Sequence, residues 1–237
     1  MTLTQFVLVT LLAILGATTQ GSLGSGYGLV AGAGLVAIDP AFVPGPVLVV
    51  GMVVAFRHLL VERKEIERLA WARCTMGLPI GLIAGLAIVS AMSDRTLSLL
   101  IGAAIILAAV VLLSGVHIRR TPLVEVISGA ASAFGAITAS IPGPPFVIAF
   151  SDLRPGALRA TSTAFLIVLT LISWAGLSFT GNFGRAEYDL VAALLPGTIV
   201  GLFASRYVRP HLDRPWFRPL ILVMAAAGGI GLVLRNL

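Results

Sequence analysis

Apolar runs follow one another along almost the entire chain, at 3–20, 27–38, 42–61, 74–92, 96–116, 123–141, 145–150, 157–180, 187–205 and 217–234. A helix needs about 20 apolar residues to cross the hydrocarbon of a bilayer. Six runs reach that length as full spans: 42–61, 74–92, 96–116, 157–180, 187–205 and 217–234. Charged residues are only 11% of the 237, against about 25% in soluble chains. With a mean hydropathy of +1.03, too little polar surface exists to cover a water-soluble globule. The expected fold class is therefore an all-α polytopic membrane protein, with the lipid bilayer as its main partner. A single cysteine, Cys74, excludes a disulfide scaffold. The net charge of +6 comes from Lys and Arg in the short breaks between apolar runs, where they flank membrane segments, so nucleic acid is excluded as a partner. The N-terminus lacks the basic stretch and cleavage site of a secretory signal and is expected to remain in the mature chain.

Two segments depart from the simple span. The stretch 3–38 is interrupted by QGSLGSGYG, Gln20 to Gly28, and the stretch 123–150 by TASIPGPP, Thr138 to Pro145. Such interruptions are tolerated at membrane depth only inside protein or beside a water-filled cavity. They hold matching places in two halves. IGLIAGL (Ile80 to Leu86) aligns with PGTIVGL (Pro196 to Leu202), and SDRTL (Ser93 to Leu97) with LDRPW (Leu212 to Trp216). The period of roughly 115 residues is too long for a solenoid and fits the duplicated architecture of secondary transporters. The expected units are residues 1–118 and 119–237.

Charge placement chooses the topology. If both broken segments cross fully, nine basic residues fall on one side and seven on the other. If each enters and returns as a re-entrant hairpin, only Arg95, Arg185 and Arg235 of the 16 Lys and Arg lie outside. The positive-inside rule favours the second arrangement, which also inverts the halves. The expectation is eight hydrophobic segments, two re-entrant hairpins and six spans, in the cytoplasmic membrane.

In the first break, Gln20, Ser22, Gly24, Ser25, Gly26 and Tyr27 are candidate substrate contacts. Glycine permits close backbone approach, Ser25 can cap the following helix, and the free N–H groups of a helix start attract anions. In the second break the candidates are Thr138, Ser140 and Gly143, because Pro142, Pro144 and Pro145 lack N–H groups. Arg159, Thr163, Thr170 and Trp174 fall near one face of the run 157–180 and complete the set. Plain structural readings stand beside these: kinks that let helices approach, interhelical hydrogen bonds, and Arg159 as an anchor at the inner end of its span. Arg57 and His58 fit snorkelling residues, His117 and His211 solvated ones, Cys74 a small apolar residue, and Glu125 a favourable charge in a first helical turn.

At these residues the chain resembles the TauE/SafE family, the sulfite-exporter-like or toluene sulfonate uptake permeases. The resemblance rests on the breaks LGSGYG (Leu23 to Gly28) and IPGPP (Ile141 to Pro145), on RATSTAF (Arg159 to Phe165), and on RKEIERLAWARCTMGLPIG (Arg63 to Gly81) leading into a Gly-rich span. Tyr27 and Pro142 stand where the family often has glycine. The resemblance implies transport of sulfite, sulfonates or related oxyanions.

No Asp or Glu sits in the middle of a span, and no nucleotide-binding, zinc-hydrolase, serine-hydrolase or paired-cysteine motif is present. The expected function is a transporter, not an enzyme, without cofactor or metal, exporting a small anionic substrate by alternating access around the two tips. The competing classes are a non-transporting membrane assembly subunit and a membrane-embedded enzyme. A homodimer is a candidate assembly.

Overall fold

The computed structural model describes residues 1–116, 118–208 and 217–237. His117, His211 and the LDRPW repeat match lie outside them. The described chain is helical, with no strand. In order come α1 (Leu3–Leu23), α2 (Tyr27–Ile38), a 3-10 turn at Pro40–Phe42, α3 (Gly45–Glu62), a second such turn at Arg63–Glu65, α4 (Arg68–Ala91) and α5 (Asp94–Leu113). Then follow α6 (Pro122–Ala139), α7 (Gly143–Ala149), α8 (Pro155–Phe179), α9 (Arg185–Val208) and α10 (Phe217–Asn236). Several starts are written locally. Thr2 and Gln5 form a capping box on α1, and the side chains of Ser93 and Thr121 cap α5 and α6.

Among the described residues, seven helices are long and apolar enough to cross a membrane: α1, the Pro40–Glu65 segment around α3, α4, α5, α6, α8 and α9. The segments 3–38 and 123–150, expected as re-entrant hairpins, are each made of one long and one short helix. Their first arms, α1 with 21 residues and α6 with 18, are span-length. Their second arms, α2 and α7, have only 12 and 7 residues. The predicted breaks are also much shorter than the polar stretches suggest. Only 24–26 and 140–142 leave the helix. Gln20, Gly21 and Ser22 stay helical because their neighbours hold them there: Gly21 lies against Ser205, and Gln20 donates from Nε2 to the Gly51 carbonyl at 2.7 Å.

Contacts fix the chain directions. Gly197 meets Thr10, Gly201 meets Ile14 and Ala17, and Ser205 meets Gly21, so α1 and α9 run parallel. Gly77 meets Val126, Gly81 meets Ala130 and Ala133, and Gly85 meets Ile137, so α4 and α6 also run parallel. Backbones this close leave no room for a Cβ: one on Gly81 would sit 2.8 Å from the Ala133 Cβ, and one on Gly201 2.8 Å from that of Ala17. Lipid offers no hydrophobic drive for helix pairing, so such small-residue seams supply the contact. α2 turns back along α1, with Ala31 beside Gly16 and Gly34 beside Leu12. α5 and α10 are antiparallel: Arg95 near the start of α5 donates from Nε to the Asn236 carbonyl at 2.7 Å. α3 and α8 are antiparallel too, joined where Arg159 meets Glu62.

The buried apolar side chains form two clusters. One gathers α1, α2, α5, α9 and α10 around residues such as Tyr27, Ile101, Ile105 and Leu194. The other gathers α4, α6, α7 and α8 around Leu78, Ile137, Phe146 and Phe165. α3 contributes Val47, Val50 and Val54 to the first and Leu48 to the second, and so lies between them. Large apolar side chains elsewhere face outward, Ile83 at 70% and Phe179 at 92% exposure, as a lipid-facing surface requires.

Filling a seam should therefore cost stability. Gly81→Leu and Gly201→Leu are each expected to destabilise by about 1–3 kcal/mol, the usual range for overpacking. Gly231→Leu, where an added Cβ meets nothing within 4 Å, should leave the melting temperature in detergent unchanged.

Candidate functional site

The two breaks meet. α1 ends where Gly24 turns left-handed (φ 86), and its N–H donates to the Gln20 carbonyl at 2.8 Å. Gly26 begins α2 at φ 115, a conformation that L side chains rarely adopt. The cap position belongs to Gly26 and no side chain fills it, so Ser25 precedes the cap and does not make it. The first backbone bond of α2 is Val30 N–H to the Gly26 carbonyl at 3.1 Å, so the N–H groups of Tyr27, Gly28 and Leu29 lack the helical partner that later residues have.

The second break is built differently. Ser140 ends α6 at φ 55, the one described non-glycine residue with positive φ. Its Oγ donates to the Pro44 carbonyl at 2.7 Å, which ties the tip to the start of α3. The two tips then interlock. A Cβ on Gly28 would fall on the Ser140 carbonyl oxygen, and one on Gly143 would lie 2.9 Å from Ser25 Oγ.

A cavity of about 180 Å³ lies between them. The first break supplies Gln20, Ser25, Gly26 and Tyr27, the second Ser140 and Gly143, and α8 contributes Thr170. These seven of the sequence candidates are brought together. The Tyr27 hydroxyl is anchored at 2.8 Å to Thr198 Oγ1 on α9.

The other six lie elsewhere. Ser22 Oγ donates to the carbonyls of Thr18 at 2.7 Å and Ser205 at 3.2 Å. Gly24 is packed against Arg159 and Ser162. Thr138 Oγ1 donates back to the Phe134 carbonyl at 2.8 Å. Thr163 is buried with no hydrogen-bond partner for its hydroxyl and does not line the cavity. Trp174 is 38% exposed and does not line the cavity. Arg159 is engaged by Glu62, with Nη2 to Oε1 at 2.9 Å and Nε to Oε2 at 3.1 Å, and both side chains are largely buried.

Sequence reasoning missed the apolar wall. Val47, Leu48 and Gly51 of α3, Leu166 of α8, Leu112 of α5 and Leu222 of α10 belong to the lining. They carry no chemical signature in the sequence. Thr19 was missed as well, although it adjoins Gln20 on the same helix.

Ion pairs concentrate at one end of the bundle. Arg73 meets Glu125 at 3.1 Å and Arg120 meets Asp152 at 3.0 Å. Glu125 thus has two arginines within reach in addition to the helix start. Arg57 reaches the Leu202 carbonyl at 3.4 Å and lies over the Phe203 ring. Cys74 is buried, its sulfur 3.6 Å from Ser128 Oγ.

These features define a multi-pass helical membrane protein in which two interrupted hydrophobic segments close on a shared cavity. The chain belongs to the sulfite exporter TauE/SafE family, whose sequence model matches residues 9–232 and so takes in both breaks and the residues that line the cavity. No curated protein and no solved structure matches the chain.

Arg159 and Glu62 should behave as a coupled pair. Arg159→Gln removes the guanidinium from a carboxylate that is 8% exposed, and breaking such a pair costs about 3–5 kcal/mol. Its melting temperature should drop clearly, and Glu62→Gln added to the same chain should recover most of the loss.

Proposed function

We propose that the chain carries a small sulfur oxyanion or sulfonate across the cytoplasmic membrane by alternating access, with the substrate held between the two tips. The observation that carries this reading is the convergence of both breaks on one cavity, into which α2 opens with no side chain capping its start. An anion there gains charge-assisted hydrogen bonds, each worth about 1.5–3 kcal/mol. Membership of a transporter family supports the same reading.

The two halves are read as inverted repeats, each a hairpin with a long and a short arm followed by three spans. In support, exchanging α1 with α6 and α4 with α9 turns one glycine seam into the other. The positions match in spacing as well: 24 with 140, 26 with 142, 81 with 197 and 85 with 201. The return of α2 along α1 supports the hairpin form. The end that carries Arg63, Lys64, Arg68, Arg120 and Arg154 is read as cytoplasmic. An inside-negative potential then favours export of an anion, by about 2.3 kcal/mol per charge per 100 mV.

For the moving bodies we take the two apolar clusters, not the sequence halves, because the α1–α9 and α4–α6 seams each join one half to the other.

In proteoliposomes, Ser25→Ala is expected to weaken apparent sulfite affinity about tenfold, equivalent to about 1.4 kcal/mol, with an unchanged melting temperature. Normal flux in Ser25→Ala combined with Thr170→Val would move the site elsewhere. The orientation is tested by a cysteine replacing Asp152 in a Cys74→Ala background. It should react with membrane-impermeant reagents only from the inside.

A further inference from the structure

A second cavity, of about 250 Å³, opens between the starts of α4 and α6 and shares no lining residue with the one between the tips. Nothing about it depends on the transport reading. Its charged lining is Glu67 and Arg73 on the α4 side, and Arg120 and Glu125 on the α6 side. Glu125 is the most buried of these, its side chain 6% exposed. Arg73 Nη1 donates to Glu125 Oε2 at 3.1 Å, while Arg120 Nε lies 3.9 Å from Glu125 Oε1 and 3.0 Å from Asp152 Oδ2. These contacts use one nitrogen of each guanidinium. The remaining N–H donors of both arginines meet no acceptor among the described residues, and the two side chains are 32% and 29% exposed. Glu67 is exposed as well. Its backbone N–H donates to Thr161 Oγ1 at 3.0 Å, and its carboxylate pairs with no cation among the described residues.

The surroundings are those of a lipid. Both α4 and α6 are long and apolar enough to cross a membrane, so a cavity at their starts lies where hydrocarbon gives way to headgroups. Leu69 lines the cavity and begins a stripe with Met76, Ile80 and Ile83 at helical spacing along α4, each between 61% and 70% exposed. On α6, Leu123 and Ile127 are exposed too, at 67% and 56%. Charged pockets between membrane helices are a recurrent place for lipid headgroups, and guanidiniums suit phosphate. Two guanidiniums and two carboxylates in one lining match a headgroup that carries both signs better than one with a net negative charge. Arg68 and Arg119 neighbour the lining in sequence but do not belong to it. We propose that this cavity holds the headgroup of phosphatidylethanolamine. Its phosphate accepts from Arg73 and Arg120, its primary ammonium donates to Glu67, and an acyl chain follows the stripe that Leu69 begins.

The test uses purified full-length protein, stripped of lipid in detergent. It is titrated with phosphatidylethanolamine, phosphatidylcholine and phosphatidylglycerol of identical acyl chains, and bound lipid is counted by native mass spectrometry. The ethanolamine lipid should bind about tenfold more tightly than the choline lipid, whose quaternary ammonium has no hydrogen to donate to Glu67. It should also bind more tightly than the glycerol lipid. Glu67→Gln should abolish the preference with an unchanged lipid-free melting temperature, and Arg120→Gln should weaken binding of all three. Equal binding of the three lipids, a preference for the glycerol lipid, or a preference that survives Glu67→Gln would overturn the assignment. Displacement of the bound lipid by excess soluble phosphoethanolamine would overturn it too, since the site would then serve a water-soluble zwitterion. Should Glu67→Gln fail to fold, the ranking of the three lipids on the unaltered protein decides alone.

Discussion

Backbone that leaves the helix within a membrane needs partners from the protein, and here each break is the other's environment. Gly28 lies on the Ser140 carbonyl, Gly143 lies against Ser25, and Ser140 in turn donates to Pro44. Without a Cβ at position 28 the tips can approach to backbone contact; with one they could not. The cavity exists because this contact is local. The tips touch at Gly28 and Ser140 and at Gly143 and Ser25, and the space beside them is bordered by α3, α5, α8 and α10.

The glycine seams deliver the tips to that meeting place. α1 carries the first break and is held by α9, while α6 carries the second and is held by α4. Each tip is thus positioned by a parallel helix from a distant part of the sequence. Carbonyls packed against glycines fix the height of one helix relative to the other, since a shift by one residue would bring a side chain onto the seam. The short second arms suffice because they need only return from the contact. α2 does so along α1, with Gly16 making room for the Tyr27 ring at 2.9 Å from where its Cβ would be.

The membrane class, the helical architecture and the two breaks were legible because they are written as length, composition and glycine and proline spacing. What was not legible follows from where side chains find their partners. Gln20, Gly21 and Ser22 read as loop, yet contacts with Gly51 and Ser205 keep them helical. Ser22 and Thr138 look like ligands, but a hydroxyl on a helix can bond its own backbone four residues back, and both do. Thr170 and Trp174 share a face by spacing, but one borders the cavity and the other the surface. Periodicity gives the face and not the neighbour. The apolar wall from α3 had no signature at all, because Leu and Val serve equally as core, lipid contact and cavity lining.

Charge is sorted along the molecule in a way that bears on all of this. The described ion pairs involve Glu62, Glu125 and Asp152, all at the end where α3 finishes and α4, α6 and α8 begin. The described residues that border the cavity between the tips are neutral. Arg159 sits at the boundary: its aliphatic stem packs on Gly24 of the first tip, and its guanidinium turns away to Glu62. The same residue that reads in sequence as an anion attractor therefore contributes its charge to the join between α3 and α8. That join links the two apolar clusters, because α8 belongs to the second and α3 lies between them. A motion that separated residues 1–118 from 119–237 would have to open both glycine seams. A motion between the clusters leaves the seams closed and works instead against α3, whose contacts with α8 include this hydrogen-bonded ion pair.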